Sequence, residues 1–408
     1  MNEDHHVAPD SDLRIESLRL LESNWDEERG YCYPHRVKYP HMWLWDSCFH
    51  SIAWAALADE RAVIELSQVF KEQFRNGFLP HMVYAGPDPV RRGPKDMAEV
   101  SSFTQPPVYG LSAAAARPLG ETQAGRHLTG RQLLQAVAKG LDYLWRYRRL
   151  ENGLIFIVHP WESGADHSPR WDDWIAPEGE RLPEYDREKW ESFDASYVDA
   201  ASYAAEDPDP RSNRFDARWS SRFVAAPAAF NAIAAHAAAE LYRLTGEEKW
   251  RDRSAELGDA MDQVLWDDGS ELFADHAEVG GGPSTRIPTL DGVLGALATN
   301  SGRRARKALE QLGDPRRFAA PFGPRYLPEK HNRYQPDKYW RGPAWPQLNY
   351  LLFLACQRWG EDHLAAGLAD ATRRGVRSAG FSEFWNPETG QALAPGRQTW
   401  SAIVVAME

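Results

Sequence analysis

The chain has 408 residues, enough to bury a large core, and its 47 Lys and Arg against 59 Asp and Glu give a formal net charge of -12. A nucleic-acid binder needs a basic face to displace counterions from phosphate, so this acidic composition argues against that class. An acidic surface is equally unsuited to binding an anionic bilayer.

Apolar residues recur with helical periodicity along the whole chain. The periodic segments are rich in Ala, Leu, Glu and Arg, which lose little entropy in a helix. In chain order the predicted helices are residues 11–24, 47–59, 61–76, 105–116, 129–149, 222–245, 247–266, 291–311, 344–358, 360–376 and 399–407. Strand-like runs are few and short, such as GLIFIVH at 153–159. The sequence therefore predicts an all-α protein.

Neither a Gly/Ser linker nor a low-complexity run divides the chain, so we predict one domain over residues 1–408. Many helices in one domain of this size suggest helical hairpins closed into an α/α toroid, with the long loops on one face. The irregular region 174–221 is long for a loop, and such loops are usually lids or binding elements. The most apolar stretch, Phe223–Tyr242, is interrupted by Pro, Asn and His, which predicts a buried helix and not a membrane span.

The cysteines Cys32, Cys48 and Cys356 are scattered and lack Cys-x-x-Cys spacing, so neither a disulfide framework nor a zinc site is expected. A reducing cytoplasm fits this pattern best. The acidic N-terminus also lacks the order of a secretory signal. Because the chain has no H-E-x-x-H, no EF-hand loop and no Lys after GGGPST (280–285), we expect no metal and no nucleotide or redox cofactor.

The 17 Trp stand mostly in polar stretches with Gly or Pro. Trp and Tyr combine a flat apolar face with a polar group, which suits the C–H faces and hydroxyl edges of a sugar. Each segment taken alone is also explained as a helix start or turn, with Asp46 or Ser47 as a cap and Ser382 or Asn386 in a turn. The segments are YPHMWLWDSCFH (39–50), NGFLPHMVY (76–84), FTQPPVYG (103–110), WESGADHSPRWDD (161–173), YWRGPAW (339–345) and FSEFWNPETG (381–390).

Two of these segments carry enough carboxylates for acetal hydrolysis. That reaction needs one carboxylic acid to protonate the departing oxygen and a second carboxylate to attack or to activate water. The residues alone leave several candidates open: Glu162, Asp166, Asp172 and Asp173 from one segment, and Glu383 or Glu388 from the other.

Six motifs in order resemble the motif series of glycoside hydrolase family 63, in particular the bacterial branch with mannosylglycerate and glucosylglycerate hydrolases. The motifs are YPHMWLWDSCF, LPHMVY, TQPP, WESGADHSPRWD, YWRGPAW and SEFWNPETG. The resemblance runs from about residue 30 to the C-terminus. It implies the (α/α)6 toroid shared with family 37 trehalases, and an inverting, exo-acting α-glycosidase.

The resemblance also implies catalytic roles. The aspartate of E-S-G-x-D-x-S-P is the general acid, which is Asp166 here, and the general base is Glu383. Asp166 must stay protonated near neutrality, and the charge of Glu162 with the indole of Trp161 should act in that direction. Inversion requires roughly 6.5–9.5 Å between the two carboxyl groups, which leaves room for a water molecule.

The other motifs resemble the sugar-binding shell of the family. Asp46 is expected to accept hydrogen bonds from sugar hydroxyls between Trp43 and Trp45. The remaining lining residues that the resemblance implies are Tyr39, His81, Gln105, Trp161, Gly164, Trp340, Arg341 and Trp385. Core packing is the alternative for Trp45, Trp345 and Trp400, and a buried ion pair that orients a catalytic carboxylate is the alternative for Arg341.

The chain departs from the family after P-x-T-G, where QALAPGRQTWSAIV replaces a glycine-rich turn and F-S-W-T-A and keeps only Trp400 and the Ser401 hydroxyl. The Arg and Tyr that hold glycerate in the branch are not aligned within 174–221. The sugar, the linkage and the aglycone therefore stay open.

Two other functions are possible on the same fold. A sugar epimerase would use paired histidines, whose sources are His41, His81, His159 and His167. A carbohydrate-binding protein without catalysis would lack one of the two carboxylates. We expect a small carbohydrate as substrate and no nucleic acid or membrane as partner, while the oligomeric state stays open.

Overall fold

A computed structural model describes residues 10–86, 100–101, 103–119, 128, 130–172, 223–277 and 286–408. The predicted lid region 174–221 and the segment 280–285 lie outside the described residues. None of the helices in the described ranges is both long enough and apolar enough to cross a membrane.

Helices account for most of the described chain. They are α1 (Asp10–Asn24), α2 (Leu44–Ala56), α3 (Arg61–Val69), α4 (Tyr109–Ala116), α5 (Gly130–Tyr147), α6 (Ala228–Thr245), α7 (Glu248–Val264), α8 (Leu290–Leu294), α9 (Gly302–Glu310), α10 (Pro346–Arg358) and α11 (Asp362–Ala379). Short 3-10 helices span Arg117–Leu119, Pro160–Ser163, Pro169–Trp171, Gly295–Leu297, Gln311–Gly313 and Thr399–Ala406. We call the last of these the C-terminal 3-10 helix.

The strands in the described residues are two-residue pieces that pair in antiparallel ladders. Strand β1 (Trp25–Asp26) pairs with β2 (Tyr31–Cys32), β3 (Met42–Trp43) with β4 (Met82–Val83), β5 (Ala225–Ala226) with β8 (His276–Ala277), and β6 (Trp266–Asp267) with β7 (Leu272–Phe273). The ladder of β3 and β4 matters for the site, because it joins two of the aromatic segments.

The helices alternate between an inner ring and an outer ring. In the described residues six inner elements contact one another in turn: α2, α4, α6, α8, α10 and the C-terminal 3-10 helix, which returns to α2. Each outer helix packs on an inner neighbour, from α1 on the C-terminal 3-10 helix to α11 on α10. Links as short as residues 57–60, 246–247 and 359–361 force antiparallel hairpins. The inner elements therefore run in one direction, and their N-terminal ends share a face.

Small residues allow the inner helices to approach closely. A side-chain carbon at Gly110 of α4 would lie 2.5 Å from the Cβ of Ala237 in α6. The alanines of α6 are mostly buried, which confirms the prediction of a buried helix for this stretch. One hydrophobic cluster extends from Leu13 to Met407.

Three sequence predictions of local structure are wrong. The segment predicted as one helix over 291–311 is divided into α8, a 3-10 turn and α9, because Ser301 caps α9 by accepting the backbone N–H of Arg304. The segment 399–407 forms a 3-10 helix over Thr399–Ala406. The run 153–159 is buried but contributes only isolated bridges, Arg149 with Ile155 and Ile157 with Ala225.

Candidate active site

The predicted aromatic segments precede inner elements of the ring. YPHMWLWDS leads into α2, TQPPVYG into α4, YWRGPAW into α10, and SEFWNPETG precedes the C-terminal 3-10 helix. The N-terminal end of a helix carries partial positive charge and unpaired N–H groups, which favours carboxylates and other acceptors. This topology brings motifs that are far apart in sequence to one face.

Glu383 lies in a buried segment between α11 and the C-terminal 3-10 helix. Its backbone carbonyl accepts the indole N–H of Trp400 at 3.1 Å. The residue is 3% exposed, and its carboxylate receives Lys38 Nζ on Oε2 at 2.6 Å and the Tyr39 hydroxyl on Oε1 at 3.1 Å. Two donors at short distance hold the carboxylate in one orientation.

Asp166 lies between the 3-10 helices Pro160–Ser163 and Pro169–Trp171 and is partly exposed. Burial raises the pKa of both Tyr39 and Tyr339, and the charges of Glu383 and Asp166 raise both pKa values further. Both carboxylates therefore lie close enough to act electrostatically on the same two phenol groups, and the Tyr39 hydroxyl also contacts Glu383 directly.

Glu162 has a structural role that differs from its predicted one. Its carboxylate pairs with Arg148 through two hydrogen bonds of 2.8 and 3.0 Å, and it also accepts the backbone N–H groups of Val158 and Thr104. Both Glu162 and Arg148 are fully buried. Because Arg148 matches its charge, Glu162 is an anchor of the Asp166 segment and does not supply the net negative charge that the sequence predicted for tuning Asp166.

A second buried ion pair holds the other end of the Asp166 segment. Arg170 contacts Asp275 at 2.8 Å and Asp291 at 3.0 Å, and its Nε donates to Ser168 Oγ at 3.0 Å. The Tyr326 hydroxyl donates to the same Ser168 oxygen at 2.9 Å. The S-P-R part of the motif therefore fixes the backbone on the C-terminal side of Asp166, and Glu162 fixes it on the N-terminal side.

Arg341 is a buried ion-pair residue. Its guanidinium donates two hydrogen bonds of 2.6 Å to the carboxylate of Asp172, and Arg341 is 3% exposed. This contact is a buried ion pair, and its carboxylate is that of Asp172. The predicted place of Arg341 in the sugar-binding shell remains a prediction. Asp172, one of the candidate carboxylates, is therefore buried in an ion pair, while Asp173 lies outside the described residues.

Glu388, the other candidate in its segment, has scaffold partners. It pairs with Arg325 and accepts the Tyr334 hydroxyl at 3.2 Å. Asn386 closes the adjacent turn, because its Oδ1 accepts the backbone N–H groups of Glu388 and Thr389. Of the two glutamates, the structure therefore places Glu383 and not Glu388 beside Tyr39.

The aromatic wall beside Glu383 is continuous. The ring of Trp43 lies 5.8 Å from Tyr39 and 5.4 Å from His81, and His81 lies 6.0 Å from Trp161. His81 also hydrogen-bonds Ser101 at 2.5 Å. In the described part of the chain the buried indole N–H of Trp43 has no hydrogen-bond acceptor, so it can donate to a bound hydroxyl.

Trp45 and Trp340 are more buried than pocket walls require. Trp45 is 4% exposed and its ring packs on Gly164, where a side-chain carbon would come within 2.5 Å. Gly164 has φ 75°, a conformation that glycine adopts easily. Trp340 is 1% exposed and stacks on Trp345 with ring centroids 3.8 Å apart. These contacts favour core packing for Trp45, Trp345 and Trp400, and Trp340 belongs to the same layer. The predicted contacts of Trp45 and Trp340 with a sugar remain predictions.

Backbone strain marks two of the motif segments. Trp340 has φ 54° and Phe381 has φ 63°, in the left-handed region that is costly for residues other than glycine. Phe381 stands two positions before Glu383. Such strain is concentrated at functional sites in proteins, because the surrounding structure must maintain it.

Trp385 was predicted at the pocket, and the structure corrects this. It is fully buried, its indole N–H donates to the carbonyl of Phe322 at 2.5 Å, and its ring packs on Gly375 of α11. Its backbone joins Ala344 and Ala392 through bridges. Trp385 therefore anchors the Glu383 segment to the scaffold from behind.

Gln105 serves the start of α2. This helix has no cap from its own N-cap residue, Trp43, and Gln105 Oε1 accepts the backbone N–H of Trp45 at 3.2 Å instead. Gln105 thereby connects the TQPP segment to the helix that carries Asp46. Its predicted contact with a sugar hydroxyl remains a prediction.

Asp46 occupies the first turn of α2 and is 4% exposed. Burial raises the pKa of Asp46 to about 7; His50 opposes this shift, and the charge of Glu383 adds to it. Because the charge of Glu383 contributes to this shift, the carboxyl groups of Asp46 and Glu383 lie near each other. A buried acceptor of this kind suits recognition of hydroxyl groups.

One group of possible metal ligands lies behind Asp46. In the described residues the donor atoms of Cys32, His50 and Glu65 lie within 4.8 Å of one another. Glu65 already accepts from Cys32 N, Trp54 Nε1 and His50 Nδ1, and His50 Nε2 hydrogen-bonds Thr399 at 2.7 Å. Burial raises the pKa of the Cys32 thiol, which favours the neutral form. These groups therefore form a hydrogen-bond network that joins α2, α3 and the C-terminal 3-10 helix.

The sequence reasoning missed Lys38 and Tyr339. Lys38 contacts Glu383, and Tyr339 is a partly buried residue whose phenol is coupled to both carboxylates. Tyr339 stands inside the quoted motif YWRGPAW, where it could have been chosen. A single lysine before YPHMW is not part of a recognisable motif, so only its position next to that motif could have indicated a role for Lys38.

Two carboxylates that act on the same phenol groups, beside a wall of aromatic rings, are the pair of groups that hydrolysis of a glycoside requires. The chain is a glycoside hydrolase. It belongs to the family described as "Mannosylglycerate hydrolase MGH1-like glycoside hydrolase domain", whose model matches residues 39–401.

Individual relatives agree with this family. A mannosylglycerate hydrolase of Thermus thermophilus is 30% identical, over 96% of this chain and 99% of that protein. The glucosylglycerate hydrolase of Mycolicibacterium hassiacum is 29% identical, over 90% of this chain and 91% of that protein. The crystal structure of the family 63 mannosylglycerate hydrolase from a second strain of Thermus thermophilus, in complex with Tris, has a TM-score of 0.81 at 26% identity, covering 97% of this chain and 99% of that one. The predicted family and the (α/α)6 toroid are confirmed.

Proposed function

We propose that this chain is an inverting, exo-acting α-glycosidase, a single catalytic domain over residues 1–408 that cleaves a small α-glucoside or α-mannoside. Asp166 is the general acid and Glu383 the general base. The observation that carries the proposal is that Asp166 and Glu383 come from different segments of the ring, yet the charge of each raises the pKa of the same two phenols, Tyr39 and Tyr339.

The reaction needs one proton transfer at each carboxylate. Asp166 gives its proton to the glycosidic oxygen as the bond to the anomeric carbon breaks. Glu383 takes a proton from a water molecule whose oxygen attacks that carbon from the opposite face, which inverts the configuration. The products are a β-configured sugar and the free alcohol of the aglycone, and the proton on Glu383 later returns to Asp166 through solvent.

The wall around Glu383 supports a subsite for the non-reducing sugar. Asp46 is a buried acceptor for sugar hydroxyls, and the buried indole N–H of Trp43 is a donor. Tyr39, His81 and Trp161 give apolar faces for the C–H side of the ring. Gln105 and Gly164 shape this subsite through the start of α2 and through the close approach of Trp45.

The names of the relatives support glycerate as the aglycone. One relative is a mannosylglycerate hydrolase and another is a glucosylglycerate hydrolase. We therefore propose glucosylglycerate or mannosylglycerate as the first substrates to test, with short α-gluco-oligosaccharides as the alternative.

The test combines a substrate panel with isosteric variants. We expect release of the β-anomer first, followed by NMR before mutarotation, from glucosylglycerate or mannosylglycerate and less from glucose disaccharides. Asp166→Asn and Glu383→Gln should each lower kcat by about 10²–10⁴-fold, the usual contribution of a general acid or base. Circular dichroism and the melting temperature should stay close to those of the wild type.

Glu388→Gln is the matched control, because Glu388 belongs to the same segment but pairs with Arg325 and Tyr334. We expect it to keep most of its activity. An α-anomer as first product would contradict inversion. Near-normal activity of Glu383→Gln together with loss of activity in Glu388→Gln would reverse the assignment of the base.

A further inference from the structure

The turn before the first aromatic segment is closed by its own side chains. His35 Nδ1 accepts the backbone N–H groups of Val37 at 3.2 Å and Lys38 at 3.0 Å. The backbone N–H of Tyr39 donates to the carbonyl of His35 at 2.8 Å. These three bonds fix the direction in which Lys38 and Tyr39 leave the turn.

The same turn is attached to the scaffold on two sides. Arg36 donates to the carbonyls of Ser23 at 2.8 Å and Trp25 at 2.7 Å. On the other side His35 packs on Gly396, where a side-chain carbon would come within 2.5 Å of Nε2. Gly396 belongs to the stretch in which this chain departs from the family, so the divergent segment supports the turn. At its tip Val37 is 84% exposed.

Lys38 connects this surface turn to the buried carboxylate of Glu383. Its ammonium lies 2.6 Å from Oε2, and it also lies 4.6 Å from the centre of the Tyr39 ring. The side chain of Lys38 is 34% exposed, whereas that of Glu383 is 4% exposed. A lysine with partial access to water can hold this contact without the full desolvation cost of a buried ion pair.

Several charges surround Glu383. From the turn, Lys38 and Tyr39 contact its carboxylate directly. From α2 the carboxyl group of Asp46 is electrostatically coupled to it, and from the YWRGPAW segment the phenol of Tyr339 is coupled to both Glu383 and Asp166. Neighbouring carboxylates disfavour ionisation of one another, whereas an adjacent cation favours it. Of the charged groups just named, Lys38 is the cation.

We propose that Lys38 is a positioning residue that orients the carboxylate of Glu383 for water activation, and so determines which of the three neighbouring carboxylates, Glu383, Asp46 or Asp166, acts as base. This inference rests on the proposed function, in which Glu383 is the base. Tyr39 holds Oε1 and Lys38 holds Oε2, which leaves the remaining lone pairs of the carboxylate for the attacking water.

The test uses Lys38→Met and Lys38→Arg in the full-length protein. Lys38→Met keeps the length of the side chain and removes its charge, whereas Lys38→Arg keeps the charge. We expect Lys38→Met to lower kcat about ten-fold with little change in KM, and to move the acid limb of the kcat/KM profile upward by roughly one pH unit. Lys38→Arg should restore most of both parameters.

Arg36→Gln is the matched control, because it removes a cation from the same turn that binds carbonyls of Ser23 and Trp25 and not Glu383. Its pH profile should coincide with that of the wild type. A wild-type profile for Lys38→Met would overturn the proposal. So would a rise in KM at unchanged kcat, which would make Lys38 a substrate contact.

Glu383→Gln, measured alongside, separates this proposal from the proposed function. If Glu383→Gln is inactive and Lys38→Met has the wild-type profile, the inference about Lys38 alone is wrong. If Glu383→Gln stays active, the assignment of the base is wrong and the role of Lys38 is wrong with it.

Discussion

The segments around Asp166 and Glu383 reach the same space, yet their charges are used differently. Around Asp166, the charged neighbours Glu162 and Arg170 are buried in ion pairs with distant residues. Around Glu383, the carboxylate itself receives the two donors, Lys38 and Tyr39, from a partly exposed turn. Around Asp166, buried ion pairs fix the backbone. Around Glu383, donors from a partly exposed turn fix the carboxylate side chain itself.

This difference has a consequence for mutational effects. We call the surroundings of Asp166 the acid side, after its proposed role. Changes in the ion pairs of the acid side should act first on the free energy of unfolding, since they leave a buried charge without a partner. We call the surroundings of Glu383 the base side, after its proposed role. Changes in the donors on the base side, Lys38 and Tyr39, should act first on kcat. Asp46, which is buried and electrostatically coupled to Glu383, should affect both stability and kcat.

Arg148→Met tests the acid side and has the largest expected effect on stability. It leaves the carboxylate of Glu162 fully buried without its cation, which should reduce the free energy of unfolding by about 3–5 kcal/mol. Chemical denaturation followed by tryptophan fluorescence measures this change. The control is Arg149→Met, whose exposed pair with Glu256 contributes at most about 1 kcal/mol. Equal losses in the two variants would show that the buried pair is not what stabilises the segment.

Asp46→Asn tests how the buried carboxyl group next to Glu383 makes stability depend on pH. Because the pKa of Asp46 is raised in the fold to about 7, its contribution to stability is greatest below the unfolded pKa, near 4, and is lost as pH rises through about 7. The amide cannot ionise, so Asp46→Asn should be more stable than the wild type by about 1–2 kcal/mol at roughly pH 8 and show no gain at roughly pH 4. Melting temperatures across pH measure the difference.

Asp59→Asn should show the opposite dependence of stability on pH. Burial acts to raise the pKa of Asp59, but hydrogen bonds from Arg61 prevail and lower it. This variant should therefore lose stability near neutral pH, and the loss should disappear as pH falls through the lowered pKa. If both variants changed in the same direction with pH, the raised pKa of Asp46 would not be the cause.

Local sequence signals predicted much of the ring, because four of the six aromatic segments are followed directly by an inner element. The break at Ser301 could also have been predicted, since serine before Gly-Arg-Arg is a common cap. The 3-10 form of 399–406 has a similar signal in the run Ile403, Val404 and Val405, whose branched side chains disfavour a regular α-helix.

The ion pairs could not be predicted in this way, because the partners are remote in the chain. Arg341 and Asp172 are separated by 169 positions and meet only in the closed ring. Trp385 was likewise predicted to line the pocket. Its burial depends on contact with Gly375 in a neighbouring helix, which local sequence does not show. Residue type indicated carboxylates beside aromatic rings and the family resemblance selected Asp166 and Glu383, but the pairing of the charges required the tertiary structure.

Tyr39→Phe tests the base side and has the smallest expected effect. Removing the hydroxyl that donates to Glu383 at 3.1 Å should lower kcat by about three- to ten-fold, the equivalent of one ordinary hydrogen bond, with little change in melting temperature. Tyr334→Phe is its control, because it removes a hydroxyl that donates at 3.2 Å to Glu388 in the same segment. If steady-state kinetics showed equal losses of kcat for both variants, the difference between the two sides would lie in the scaffold and not in the donors to Glu383. A loss confined to Tyr39→Phe would instead show that orientation of this one carboxylate limits the rate.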